Sequence, residues 1–171
     1  MRKALIVGKW LALLPAHLAV VAAAWLLAPI AVRWFSTADG RHLRSPFRWI
    51  ETIDNDMSGD GYWKAEHLAG GDALSEPARI GWAKRNGGNA VNYGALGVPV
   101  DPEWLAQYRS PINGAITGGP AWWTDRAFCL RWMHPIGGRI LELSLGWNLL
   151  GPKSGRAKFW LSGRFERQGK S

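Results

Sequence analysis

Between Trp10 and Val32 the chain runs for 23 residues without a formal charge, and His17 is its one strongly polar side chain. Coiled at 1.5 Å per residue, that run makes a helix about 35 Å long, enough for a hydrocarbon core of about 30 Å. The pattern predicts a transmembrane helix over 10–35, with Trp10 at one end and Trp34-Phe35 at the other as interfacial aromatics. Pro15 and Pro29 each remove a backbone donor and predict bending or fraying near both ends. A cleaved leader would also explain Arg2, Lys3 and the small residues Ala22-Ala23-Ala24. The apolar stretch continues through Trp25, Leu26, Leu27, Ile30 and Val32, beyond the usual h-region, which favours a retained anchor. His17 is expected as a neutral imidazole bonded to a carbonyl freed by Pro15.

After the anchor the pattern changes. Residues 36–48 predict an irregular basic linker, with turn signals at Asp39-Gly40 and Ser45-Pro46. Short helices are predicted at 61–69, 78–86 and 102–109. Apolar-rich runs at 127–133, 139–149 and 156–165 are separated by Pro135-Ile-Gly-Gly138 and Gly151-Pro-Lys-Ser-Gly155. Phe159, Leu161, Gly163 and Phe165 alternate with polar or basic neighbours at a period of two. The expectation is an α+β protein: one N-terminal transmembrane helix, then a small domain of short helices and loops ending in a three-stranded antiparallel β-meander. Its apolar face should meet the core, and a basic, Trp-bearing face should lie outside. The implied divisions are a basic arm (1–9), the anchor (10–35), the juxtamembrane linker (36–48) and a membrane-proximal domain (49–171).

The net charge of +8 is unevenly spread: residues 1–48 carry +6, residues 49–150 carry −3 and residues 151–171 carry +5. Basic juxtamembrane side chains are drawn to anionic lipid, which accounts for Arg33, Arg41, Arg44 and Arg48 without a nucleic-acid ligand. With Trp10, Trp34, Phe35 and Trp49 they form the predicted membrane interface. Those four arginines against Arg2, Lys3 and Lys9 lean towards a cytoplasmic C-terminal domain on a bacterial inner membrane. The basic tail, Lys153 to Lys170, suits a solvated strand face as well as phosphate or headgroup contacts. Cys129 is the single cysteine, which excludes an intramolecular disulfide and a Cys-rich metal site. Twelve tryptophans, nine of them outside the anchor, must fill a core, meet lipid or face a partner. Ala12/Ala16 and Ala19/Ala23 give the small-xxx-small spacing through which two copies of the helix would pack as a homodimer.

Catalytic signatures are weak. Asp54-Asn55-Asp56-Met57-Ser58-Gly59-Asp60 places oxygen side chains at alternate positions before a glycine, as a calcium loop requires. Asp54, Asp56, Ser58, Asp60 and Glu66 are therefore the candidate ligands for calcium or magnesium. The pattern then departs: Ala65 stands where the bidentate glutamate belongs, and Glu66 comes one residue late. The plainer alternative is an Asx-rich turn capping the helix near Gly61. A cation-dependent hydrolase would add His67 to the same acids. Gly146 to Ser154 imitates a phosphate loop, but Pro152 lacks the amide that such a loop must aim at phosphate.

Trp49-x-x-Thr52-x-Asp54-Asn55-Asp56-x-x-Gly59-Asp60 and Trp63-x-x-Glu66-His67 follow the hydrophobic anchor. Trp82-x-x-Arg85-Asn86-Gly87-Gly88-Asn89, Asn92-Tyr93-Gly94 and Arg139-x-Leu141-x-Leu143-x-Leu145-Gly146-Trp147 come later. In this order the motifs resemble short membrane-anchored proteins encoded by tailed phages and prophages. The resemblance implies a phage-encoded membrane protein and nothing catalytic. The expected function is that of a single-pass, non-enzymatic accessory protein contacting lipid or a protein partner. The alternative is the cation-dependent enzyme or calcium binder of the acidic loop.

Overall fold

The computed structural model describes residues 1–101, 121–149 and 152–167. The helix expected at 102–109 lies outside the described residues. The fold is α+β, and the chain divides into two compact units: residues 1–14 with 93–171, and residues 15–92. Helix α1 (Arg2–Phe35) begins eight residues before the apolar run, so the basic arm is helical. It accommodates both Pro15 and Pro29 without ending. By length and composition α1 is apolar enough to cross a membrane. Within residues 15–92 its buried residues, His17, Ala24, Ala28, Ala31 and Val32, recur at helical spacings and mark one stripe, while Ile6 and Trp10 are buried in the other unit. Leu11, Leu18, Trp25, Leu26 and Ile30 are exposed on the remainder of the helix.

In the unit containing the chain's start, short strands β1 (Val98–Pro99) and β2 (Ala121–Trp123) precede the long pair β3 (Phe128–Ile136) and β4 (Arg139–Trp147). Strands β5 (Arg156–Ala157) and β6 (Phe159–Arg167) follow. The main sheet is antiparallel in the order β2-β3-β4-β6, while β1 and β5 pair separately. This corrects the three-stranded meander: the run expected as one strand from 156 to 165 divides after Ala157, and a fourth strand joins at the β2 edge. The β3–β4 hairpin turns on Gly137 and Gly138, both at positive φ (55° and 74°). Two such residues between paired strands match the twist of the strands, a conformation that glycine adopts without steric cost.

The core of this unit is an aromatic box. Trp10 stacks on Phe159 (5.4 Å, 3°) and meets Phe128 edge-on (5.9 Å). Trp147 completes the box, edge-on to Phe128 and Phe159. Trp10 Nε1 donates to Gly146 O at 2.9 Å, and Trp147 Nε1 donates to Leu96 O at 2.9 Å. Both indole donors are thereby satisfied in an otherwise apolar site, as buried tryptophan requires. Trp10 is only 6% exposed. That corrects its expected place in an interfacial belt, because a side chain enclosed by protein has no face left for lipid.

The facing of the sheet also differs from expectation. Along β4, Glu142 and Ser144 share one face and are 1% and 0% exposed, while Leu143 on the opposite face is exposed. Arg131 compensates the buried carboxylate with two hydrogen bonds, Nε to Oε1 at 2.9 Å and Nη2 to Oε2 at 3.0 Å. Phe165 and Ile136, near the hairpin end, are exposed as well. Among the described residues the apolar face is covered at the Phe128–Trp147–Phe159 end and open towards the hairpin. Cys129 lies fully buried nearby, and burial pushes its thiol up to about 11, so little thiolate forms at neutral pH.

In the unit of residues 15–92, a one-turn helix (Arg48–Ile50) is followed by α2 (Gly61–His67), α3 (Glu76–Asn86) and α4 (Asn89–Tyr93). Ala24, Ala28, Ala31 and Val32 of α1 share a core with Leu43, Ile50, Met57, Trp63, Trp82 and Ala83. The approach is closest at Gly87 and Gly88, where an added methyl would overlap Ala24 and Val20 respectively. His17 Nδ1 meets Asn92 Oδ1 at 2.9 Å. The imidazole on the covered stripe thus pairs with a side chain of its own unit.

Replacing Trp10 by alanine should destabilise the protein by about 3–5 kcal/mol, the usual cost of deleting a large buried aromatic. Trp10→Phe, which keeps the stack and loses the Gly146 hydrogen bond, should cost about 1 kcal/mol. Urea unfolding of the full chain in mild detergent, followed by near-UV circular dichroism, checks both.

Candidate functional site

The segment after α1 folds back on itself. Ser36 and Leu43 pair as an antiparallel bridge, and Thr37 N donates to His42 O at 2.8 Å. Asp39 accepts from Thr37 Oγ1 at 2.6 Å and from Arg41 N at 3.0 Å, closing a tight turn in which Gly40 takes φ 70°. The one-turn helix at 48–50, anchored by fully buried Ile50, then presents Glu51 to this turn. The Glu51 carboxylate accepts the Leu43 amide and lies 3.7 Å from His42 Nδ1. Met57 N donates to Arg41 O, and Arg41 Nη1 reaches Asp56 Oδ2 at 2.6 Å. A sequence expected as an irregular linker is therefore pinned at several points.

Between these pieces lies an open cleft of about 550 Å³, lined by His42, Arg48, Glu51, Thr52, Ile53, Asp54, Asn55 and Asp56. It joins two of the predicted groups, Arg48 of the membrane interface and the first acids of the candidate calcium loop. His42 and Glu51, which sequence motifs did not single out, are its other ionisable members. Their only advance signal was proximity to the turn residues Asp39-Gly40.

The acidic loop itself is occupied with local hydrogen bonds. Asp56 Oδ1 accepts from Ser58 N at 2.9 Å and from Ser58 Oγ at 2.6 Å. Asp60 Oδ1 accepts from Trp63 N at 2.7 Å and caps α2. Thr52 Oγ1 bonds both the carbonyl and the amide of Asn55. Gly59 sits at φ 76° and lies so close to Trp63 that a methyl there would overlap the indole. Glu66 and His67 belong to α2, where His67 Nε2 meets Arg85 Nη1 at 2.9 Å. Among the described residues no three His, Cys, Asp or Glu side chains gather where they could hold a metal ion. The alternation of oxygens is thus explained by turns and a helix cap.

Electrostatics agree with that arrangement. The hydrogen bonds from Ser58, reinforced by Arg41, hold the Asp56 carboxyl down at about 2. The predicted membrane-interface residues have different settings. Arg33 lies over the Trp34 ring at 5.7 Å, and both are exposed. Arg44 and Arg48 are exposed, Phe35 meets Phe47 edge-on at 4.6 Å, and Trp49 is half-buried against the core. Among the tail cations, Arg156 is turned inward, donating to the carbonyls of Tyr93, Gly94 and Gly97 at 2.7–2.8 Å. Lys158 lies over Tyr93, and burial holds its ammonium below the ordinary lysine value.

A family model matches residues 1–164, from the first turn of α1 into the last strand. The chain belongs to DUF7338, described as a family of unknown function. No curated protein and no solved structure matches it. The match shows that α1 and the sheet belong to one family-wide unit of sequence, and the chemistry rests on the geometry above.

Two outcomes are expected. Asp56 is ionised at lower pH in the folded chain than in the unfolded one, whose value is near 3.8. Its contribution to stability is present above that value and is lost as pH falls to about 2. Asp56→Asn should therefore be less stable than wild type at neutral pH, with the difference closing towards pH 2 in urea unfolding. Calcium, magnesium or manganese added to the full chain in detergent should leave its melting temperature unchanged. A saturable upward shift would mean that the acidic loop rearranges around the ion.

Proposed function

We propose that this chain is a non-enzymatic interaction module of a phage or prophage, held at the host inner membrane by α1. Its domain stands on the cytoplasmic side and its tryptophan-rich units face lipid or a protein partner. The supporting observation is the uncovered part of α1, where Leu11, Leu18, Trp25, Leu26 and Ile30 are exposed on a helix that packs on protein along a narrow stripe. Apolar side chains of that size on a long helix are normally hidden from water, and a bilayer hides them. The flanking cations Lys9, Arg33, Arg44 and Arg48 favour the anionic cytoplasmic leaflet. The motifs quoted from Trp49 to Trp147 support the phage origin. Ile136, Leu143 and Phe165, exposed towards the hairpin end of the sheet, are the surface best suited to a protein partner. The hydrogen bonding of Asp56 and Asp60 weighs against an enzyme built on the acidic loop.

Cell fractionation tests the reading. The full chain should be recovered in the membrane pellet and remain there through a high-salt wash. The double variant Leu18→Glu, Leu26→Glu should shift mostly to the soluble fraction while keeping its near-UV spectrum. Recovery of wild type as a soluble species would overturn the membrane role.

A further inference from the structure

We propose that α1 does not cross the bilayer but lies along its surface, its uncovered face in the acyl layer of an anionic leaflet and its covered stripe on its own protein. This rests on the membrane reading above and replaces the single-pass topology expected from sequence.

The argument begins at the middle of the apolar run. Val20 and Ala24 lie near its midpoint, and it is there that Gly88 and Gly87 approach within less than a methyl's breadth. These glycines belong to Asn86-Gly87-Gly88-Asn89, the turn between α3 and α4. A helix standing across the membrane would carry that turn to the bilayer midplane. Irregular backbone is not found in contact with lipid at that depth, because nothing there satisfies its amides and carbonyls. Helix α3 would follow it, bringing Lys84 and Arg85 of its last turn into the hydrocarbon. Charged side chains at the centre of a bilayer cost about 2.5–3.5 kcal/mol each even on the most lenient scale. Arg79 Nη1 donates to Ser36 Oγ at 2.7 Å, and Lys84 Nζ lies 4.0 Å from the Trp25 ring centre, so α3 and the second half of α1 are tied along their length.

The helix composition fits the in-plane alternative. Ordinary interfacial helices have one polar face for water and one apolar face for lipid. Here protein takes the place of water, so both faces are apolar and the helix is long and apolar enough to span. At 100° per residue, Leu11, Pro15, Leu18, Ala22 and Leu26 fall within about a quadrant of the circumference, opposite His17, Ala24 and Ala28. On the same count Arg33 falls within this quadrant and is exposed, a cation placed to meet an anionic leaflet.

Topology labelling decides it. Ala4→Cys and Ala38→Cys, both exposed sites, are made in the full chain, where buried Cys129 gives an unreactive background. In spheroplasts and inverted vesicles a membrane-impermeant maleimide should label both positions from the cytoplasmic face and neither from the other. Labelling from opposite faces would overturn the in-plane placement and leave the membrane role standing. Fluorophores at Leu11→Cys, Leu18→Cys and Leu26→Cys should be quenched equally by shallow spin-labelled lipid. A maximum of depth at Leu18 would indicate a span. Absence of quenching in membrane-bound protein would mean that a second copy covers the face. Either overturns the proposal, while loss of the chain to the soluble fraction overturns the membrane reading itself.

Discussion

Helix α1 is apolar around its whole circumference, and such a helix must be covered on every side. Within residues 15–92 its inner stripe is small: Ala24, Ala28 and Ala31 allow neighbouring backbone to approach until only glycine fits at 87 and 88. That close approach is what gives a short, glycine-rich and acidic sequence enough contact to fold against the helix. The larger side chains are kept for the other side. Within this unit the packed stripe is mostly alanine, while Leu18 and Leu26 stand exposed on the other side.

The same helix begins inside a different core. Trp10 lies flat on Phe159, and its indole nitrogen donates to the carbonyl of Gly146, where the strand carries φ 106°. A side chain at 146 would collide with the Phe128 backbone, so glycine is required there for space as well as conformation. Arg156 performs a comparable service at the second sheet, where one guanidinium gathers the carbonyls of Tyr93, Gly94 and Gly97. The tryptophans and arginines that suggested lipid or phosphate contacts are, in these cases, satisfying backbone carbonyls.

The long elements were legible in the sequence because their periods persist. The apolar run, the strands at 128–136 and 139–147, and helices near 61–67 and 76–86 fall within a few residues of expectation. Strands β1, β2 and β5 have two or three residues each, too few for alternation to register. Trp10 was misplaced because an aromatic at the end of an apolar run looks the same whether lipid or protein meets it, and its partner Gly146 stands 136 residues away. The acidic loop was ambiguous for a chemical reason. Calcium ligands and Asx or serine turns both need short oxygen side chains at alternate positions followed by glycine. Only the hydrogen bonds Asp56–Ser58 and Asp60–Trp63 separate the two uses.

The division of one helix between two cores has a consequence for modularity. Membrane-attached domains are commonly freed by cutting away the hydrophobic segment, on the view that it is a detachable tether. Here a chain beginning after Phe35 would lack Trp10 from one core and Ala24, Ala28, Ala31 and Val32 from the other. Both would be left with open apolar hollows, so the apolar helix and the folded body cannot be inherited, exchanged or excised separately.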